Sequence, residues 1–169
     1  HIEECLSVYN SLQKAFGRLP ENDLNRFWEL VRLGIVFHDL GKSHSEFQKM
    51  LEGKRANWYH QRHELFSTPF IDRLDLPEED KLLLKLIVAG HHKDFSFLFE
   101  HIQHGYKTGE DYLSLNEDGK LDWEEETQKI DDRFIQSFLK EHHISLKPSP
   151  LALPMQLVKD YTRKPVNTT

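Results

Sequence analysis

Apolar residues recur along most of this chain at intervals of three and four, which is the repeat of an amphipathic α-helix. The first such stretch runs from Ile2 to Phe16, and the second, from Leu24 to Val36, is apolar on nearly every side. No alternation of Val, Ile and Thr is long enough to predict a sheet. The sequence therefore predicts an all-α fold, a single helical bundle over residues 1–169 in which the second helix is central.

The same repeat sets the expected boundaries of the helices. Asn22 or Asp23 is expected to cap the second helix, and Gly41 is suited to a helix C-terminus. Residues 105–122 are rich in Gly, Asp, Asn and Lys and are expected to form an exposed excursion. Further helices are predicted around Phe47 and over Gln61 to Leu74, Pro77 to Ala89, Trp123 to His142 and Met155 to Tyr161.

Composition and charge exclude several classes of protein. Cys5 is the single cysteine, so an internal disulfide is impossible. No apolar run is long enough to cross a bilayer, and no signal peptide is visible, so we expect no membrane association. The net charge of −6 argues against a protein that coats nucleic acid by bulk electrostatics, but not against an enzyme that holds it through bound divalent ions.

Histidine is the residue type whose frequency most suggests metal or proton chemistry, because the chain has 11 of them. Residues at the ends of successive antiparallel helices can meet in the middle of a bundle. Imidazole nitrogen and carboxylate oxygen suit Mn, Fe, Co, Ni and Zn, and a carboxylate can bridge two ions. The residues at predicted helix ends, and hence the predicted metal ligands, are His1, His38, Asp39, His63, His91 and His92.

Each of these residues also has an ordinary structural interpretation. His1 could equally be a surface residue, but the pairs His38-Asp39 and His91-His92 follow apolar helices, where polar groups are costly unless they are satisfied. For Lys42, a place beside a metal-bound anion and an interaction with helix C-terminal carbonyls are equally open.

The remaining candidates receive the ordinary interpretation. Cys5 is assigned to the core, and Glu124 to Glu126 are assigned to a solvated face. The other histidines are assigned to the surface or to local hydrogen bonds, with a smaller chance that His44 or His60 lines the site; they are His44, His60, His101, His104, His142 and His143.

The segment His38-Asp39-Leu40-Gly41-Lys42, with His1 before it and His63 and His91-His92 after it, resembles the HD superfamily of metal-dependent phosphohydrolases. The order of these motifs is close to that of the HD nuclease of type I CRISPR interference. The segment Arg62 to Ser67 also resembles that family's H-E-x-x-S helix. The resemblance covers residues 1–95.

The resemblance implies two divalent transition-metal ions, Mn, Fe, Ni or Co, with Mg as a further possibility. His1, His38 and Asp39 would hold one ion, and Asp39, His63, His91 and His92 the second, with Asp39 bridging. Lys42 would lie near the scissile phosphate. The family's late acidic ligand would be Asp160 or a residue beyond Thr169.

The resemblance also implies the substrate and the partners. These are single-stranded DNA, a superfamily 2 helicase in the same polypeptide or in a separate one, and an RNA-guided CRISPR surveillance complex, all in the cytoplasm. The chain would then be a stand-alone domain or part of a longer helicase–nuclease. Two alternatives stay open at this point: an HD phosphohydrolase acting on nucleotides or cyclic nucleotides, and a non-catalytic interaction module with a relict metal site.

Overall fold

A computed structural model describes residues 1–16, 21–58, 63–92 and 123–151 of the chain. The described residues form helices, with one isolated β-bridge between His44 and Ile130, so the all-α prediction is confirmed. The helices are α1 (Ile2–Phe16), α2 (Glu21–Phe37), the 3₁₀ helix η1 (Leu40–Ser43), α3 (Ser45–Leu51), α4 (His63–Ser67), the 3₁₀ helix η2 (Thr68–Arg73), α5 (Glu78–Gly90), α6 (Trp123–Gln128) and α7 (Asp132–Glu141).

Helix α2 is central, as predicted. Its residues Leu33, Val36 and Phe37 are buried, and α1 and α5 both pack against it. The same core takes in four residues of the 61–74 region, whereas the buried Leu65 packs with Ala89 in a second, smaller cluster; the four are Phe66, Phe70, Ile71 and Leu74. Burial of these apolar side chains is the main driving force that packs α2 against α5 and so brings their C-terminal ends together.

Several predicted boundaries are wrong. Helix α2 begins at Glu21, ahead of the predicted caps Asn22 and Asp23. The region expected as one helix to Leu74 is a short α4 followed by the 3₁₀ helix η2, in which Pro69 lacks the N–H that a continuing α-helix needs.

The helix predicted from Trp123 to His142 is divided in two at residues 129–131. There the backbone pairs with the segment after η1: the Ser45 N–H donates to the Lys129 carbonyl at 2.8 Å, and the Asp131 N–H donates to the Ser43 carbonyl at 3.3 Å. The Asp131 side chain then caps α7 by accepting from the Phe134 N–H at 2.9 Å. A long-range backbone pairing, invisible to helical periodicity, thus interrupts the helix.

Helix α1 has the predicted extent, but much of its apolar face is open. Tyr9 is buried, whereas Val8, Leu12 and Phe16 are exposed. Cys5, assigned to the core, is only half-buried. Helix α1 therefore contributes less to the core than its periodicity predicts.

Some predictions lie outside the described residues. These are the whole of the excursion at 105–122, the helix from Met155 to Tyr161, and the candidate ligand Asp160. Among the described helices, none combines the length and the apolar character that a membrane span requires.

Candidate metal centre

Four of the predicted ligands meet where three helices end or begin. Asp39 follows α2, His63 begins α4, and His91 and His92 follow α5. Each of the four offers a ligand atom, and these atoms all lie within 4.8 Å of one another. This is the set predicted for the second ion, and its donors, three imidazole nitrogens and a carboxylate oxygen, are those that a divalent transition metal binds.

Three atoms of this group are buried without a hydrogen-bond partner. They are Oδ1 of Asp39, Nε2 of His63 and Nε2 of His91. The two nitrogens lie 3.1 Å and 3.9 Å from Oδ1 of Asp39, close enough for charge interaction but not aligned as hydrogen bonds. Buried polar atoms are nearly always satisfied. Because these unpartnered atoms converge on one point and have the donor chemistry that a divalent ion prefers, the residues present fit such an ion.

The rings of His38 and His91 are held in the same way. Nδ1 of His38 bonds the Ile35 carbonyl at 2.7 Å, and Nδ1 of His91 bonds the Val88 carbonyl at 2.6 Å. A neutral ring that donates from Nδ1 has its lone pair on Nε2, which turns that atom into a metal ligand. Each helix end thus fixes the tautomer of the histidine that follows it.

His63 is oriented by a carboxylate instead. Its Nδ1 lies 3.4 Å from Oε2 of Glu64, whose residue is 3% exposed. A carboxylate behind a ligating imidazole fixes the ring and raises its basicity. In the sequence, Glu64 is marked only as part of the Arg62 to Ser67 segment that resembles the H-E-x-x-S helix. Its position next to His63 is the one sequence signal that could have indicated that it orients the ring.

The second oxygen of Asp39 faces a different set of groups. Oδ2 lies 3.1 Å from Nε2 of His38 and accepts a hydrogen bond from Nζ of Lys42 at 2.8 Å. Asp39 therefore presents one oxygen to the four-residue group and the other to His38 and Lys42. For Lys42, this contact favours the place beside the site over the alternative of binding helix C-terminal carbonyls.

These contacts set the charges of the centre. Burial opposes ionisation of Asp39, but its contacts with His38, His63 and Lys42 outweigh burial and hold the pKa of Asp39 well below its usual value. Burial also lowers the pKa of His91, with the neighbouring His92 and His38 rings adding to the effect. For His38, burial is outweighed by the contacts with Asp39 and the Ile35 carbonyl, so its pKa is raised.

Ser67 joins the three chain segments that carry the ligands. Its buried hydroxyl accepts from the Gly41 N–H at 2.8 Å and lies 3.1 Å from the carbonyls of His38 and His63, to either of which it can donate. Sequence reasoning noted Ser67 only within the H-E-x-x-S resemblance. Its role is to hold the end of α2, the start of η1 and the start of α4 in one arrangement.

Gly41 is needed for a reason other than the one predicted. It lies inside η1 rather than at a helix C-terminus, and it is buried. A Cβ placed on Gly41 would collide with the backbone carbonyl of His63 and would lie 2.9 Å from Cβ of Phe66. Only glycine allows η1 to lie directly against the start of α4, which brings Asp39 and His63 into contact.

The set predicted for the first ion is only partly assembled. The His1 and His38 rings are neighbours, with centroids 5.8 Å apart, but His1 is exposed and its Nε2 lies 4.0 Å from Sγ of Cys5. Within the described residues, the cluster of potential ligand atoms consists of Asp39, His63, His91 and His92 and does not include His1 or His38.

The solvated position predicted for Glu126 is wrong, and so is the surface position for His44, whereas the alternative of a local hydrogen bond for His44 is confirmed. His44 is fully buried, and its Nε2 lies 3.1 Å from Oε2 of Glu126, which is itself buried. Nδ1 of His44 accepts the Glu46 N–H and so caps α3. Their separation of 82 positions explains why a local pattern could not reveal the pair.

Comparisons with known proteins give one partial similarity. No family model matches the chain. Adenylosuccinate lyase of Haemophilus influenzae is 28% identical to it over 96 residues, and the matched region covers 51% of this chain and 20% of the lyase. The chain thus spans about a fifth of the length of that protein.

Proposed function

We propose that this protein is a metal-dependent HD nuclease that hydrolyses phosphodiester bonds of single-stranded DNA in CRISPR interference. The observation that carries the proposal is the convergence of three unpartnered buried atoms, on Asp39, His63 and His91, beside His92. They belong to the residues that carry the resemblance to HD phosphohydrolases.

The ions would be held by the chain's own histidines and aspartate. Asp39, His63, His91 and His92 would hold one ion, and Oδ2 of Asp39 with His38 and His1 would face a second. Mn, Fe, Ni or Co suits this donor set better than Mg, which prefers oxygen ligands. Bound there, divalent ions would supply Lewis-acid charge to a phosphate and lower the pKa of a water molecule.

Lys42 supplies a cation on the same side as the second oxygen of Asp39. Its side chain is 36% exposed, so Nζ can contact Asp39 and a phosphate of the substrate at the same time. This hydrolysis needs no nucleophilic Ser or Cys, because water activated by the ions would attack the phosphate. The buried Ser67 is committed to backbone hydrogen bonds. The residues of the chain act by holding ligands and phosphate in place.

Delivery of the strand belongs to partners in this proposal. The net charge of −6 disfavours tight binding of naked DNA through phosphate contacts alone. A superfamily 2 helicase and an RNA-guided surveillance complex would present a displaced single strand to the centre.

Closed circular single-stranded DNA tests the proposal. The full chain, loaded with Mn, Fe, Co, Ni or Mg in turn, is expected to cut the circle into linear fragments. Asp39→Asn should abolish cutting, and Asp75→Asn, at a side chain that is 90% exposed, is the matched control that should cut like the unchanged protein. Hydrolysis of nucleotides or cyclic nucleotides with no cut circles would overturn the nuclease in favour of a nucleotide phosphohydrolase. Metal binding without any hydrolysis would indicate an interaction module.

A further inference from the structure

A cleft opens beside Asp39 and Lys42, and His63 is not among the residues that line it. It has a volume of about 350 Å³, and its walls come from the start of α1, from η1 and from α7. Ile2, Phe134 and Phe138 give it an apolar character, whereas Asp39, Lys42 and Asp131 are its charged residues. A cleft of this size accommodates a group as large as one nucleotide.

Two phenylalanines form the α7 wall. Phe134 and Phe138 lie one helical turn apart, and their rings are nearly parallel, with an angle of 13° and centroids 6.0 Å apart. Phe138 is backed by the ring of His142 at 4.6 Å, while Phe134 is 55% exposed. An aromatic ring held by a parallel neighbour and open to solvent is a preformed stacking surface.

The position of this wall relative to Lys42 is fixed by the backbone. The Asp131 N–H bonds the Ser43 carbonyl, next to Lys42, and the Asp131 side chain bonds the Phe134 N–H. Two hydrogen bonds thus join the residue after Lys42 to the phenylalanine, and they fix the distance between cation and ring in the folded protein.

Lys42 is the one cation among the described residues that line the cleft, and the other charged lining residues are the carboxylates Asp39 and Asp131. A phosphate in the cleft is therefore drawn to Lys42. The apolar rings of Phe134 and Phe138 are then left for the base. Stacking is the interaction that an acidic chain can use to hold a strand, because it does not depend on phosphate contacts.

We propose that Phe134, supported by Phe138, is a stacking platform for an unpaired base of the DNA strand whose phosphate lies at Lys42. The inference deepens the proposed function and rests on it for the identity of the ligand. Base stacking tolerates any sequence, so the platform would bind single strands without sequence preference. Paired bases have no free face to offer, so duplex DNA would be excluded.

Binding without metal tests the platform. Fluorescein-labelled oligothymidylate, and an abasic strand of the same length, are titrated with the full chain in EDTA, and fluorescence anisotropy is measured. The unchanged protein is expected to bind the oligothymidylate at least about fivefold more tightly than the abasic strand. Phe134→Ala and Phe134→Leu should both remove that difference while leaving affinity for the abasic strand unchanged.

Phe27→Ala is the matched control, because Phe27 is 52% exposed but lies on α2, outside the cleft. It should bind both strands like the unchanged protein. Equal affinity of the unchanged protein for the two strands would overturn the platform, and so would a Phe27→Ala effect as large as that of Phe134→Ala. Retention of the difference in Phe134→Leu would overturn the requirement for an aromatic ring. Circular dichroism establishes that each variant is folded.

The two proposals fail separately. If circular DNA is cut but abasic and base-containing strands bind alike, the platform is wrong and the nuclease stands. If no substrate is hydrolysed but Phe134→Ala abolishes the preference for bases, the platform stands as a single-strand binding site and the nuclease is wrong.

Discussion

Asp39 and His44 lie on either side of η1 in the chain. Asp39 belongs to the candidate metal centre, whereas His44 forms a structural pair with Glu126, and the two groups differ in how their polar atoms are satisfied. His44 uses both ring nitrogens, on Glu126 and on the Glu46 N–H, and Lys129 bonds the other oxygen of Glu126. At Asp39, by contrast, one carboxylate oxygen and the Nε2 atoms of His63 and His91 have no hydrogen-bond partner. Both groups place imidazole nitrogens beside a carboxylate. Unsatisfied atoms that converge distinguish the candidate metal centre from the structural pair.

Removing the structural pair should give the largest effect on stability. His44→Ala deletes a fully buried ring that packs against Trp58 and Phe66, and it leaves Glu126 short of a donor. We expect a loss of about 3–5 kcal/mol of unfolding free energy, measured by urea denaturation in EDTA. The affinity of the remaining folded protein for Mn²⁺ should be unchanged. A drop in affinity with full stability would reverse the assignment of the two groups.

Removing a predicted metal ligand should lower metal affinity strongly and the free energy of unfolding only slightly, which is the reverse of the effect of His44→Ala. His91→Ala should lower Mn²⁺ or Ni²⁺ affinity by more than roughly 100-fold, because loss of a ligand exceeds the 10–100-fold cost of losing a supporting residue. The free energy of unfolding without metal should fall by only about 1 kcal/mol, because the substitution loses the Nδ1 hydrogen bond to the Val88 carbonyl but also removes the unpartnered Nε2. Isothermal titration calorimetry measures the first quantity and urea denaturation the second. His143→Asn, at an exposed residue outside the cluster with φ of 59°, is the control.

Glu64 gives an intermediate case. Glu64→Gln keeps the size of the side chain but removes the charge behind Nδ1 of His63. Metal affinity should fall about tenfold, the lower end of the cost of losing such a partner. Titration calorimetry with Ni²⁺ at constant pH is the measurement. An unchanged affinity would mean that packing alone, without the carboxylate, orients His63.

The smallest expected effect is the loss, at low pH, of the stability that ionised Glu126 contributes to the structural pair. Burial raises the pKa of Glu126, but the contacts with His44 and Lys129 outweigh it, so the pKa lies below the usual 4.5. A lowered folded-state pKa contributes stability above 4.5 that is lost as the pH falls through the folded value. Glu126→Gln should therefore be less stable than the unchanged protein by roughly 1 kcal/mol at neutral pH. The difference should vanish in acid, and a difference that grows in acid would contradict the ionised state assigned to Glu126.

The sequence predicts the residues of the candidate metal centre but not the structural pair of His44 and Glu126, because only the first group is marked by local helical patterns. The ligands at Asp39, His63, His91 and His92 follow or begin apolar helices, so periodicity alone places them at helix ends. His44 and Glu126 meet through tertiary packing, and neither has a local pattern that marks it. The break at 129–131 was missed likewise, because it depends on backbone pairing with Ser43 and Ser45.

The role of Gly41 and the exposure of His1 also could not be predicted from the sequence pattern. The repeat at the end of α2 suggested that Gly41 ends a helix, whereas its task is to let two backbone segments touch. Such a close approach is a property of two segments at once. His1 shows the reverse: its place beside His38 follows from the start of α1, but its exposure could not be read from spacing.

The pairing of residues 43–45 with residues 129–131 has a consequence for how the protein matures during synthesis. Every residue of the four-membered ligand cluster has been synthesised once His92 has been added to the chain. The segment that buttresses η1, and with it Asp39 and Lys42, is synthesised only after residue 122. A nascent chain therefore contains all these ligands well before it contains the segment that fixes their positions, so we expect full metal affinity only after residues 129–131 have been made.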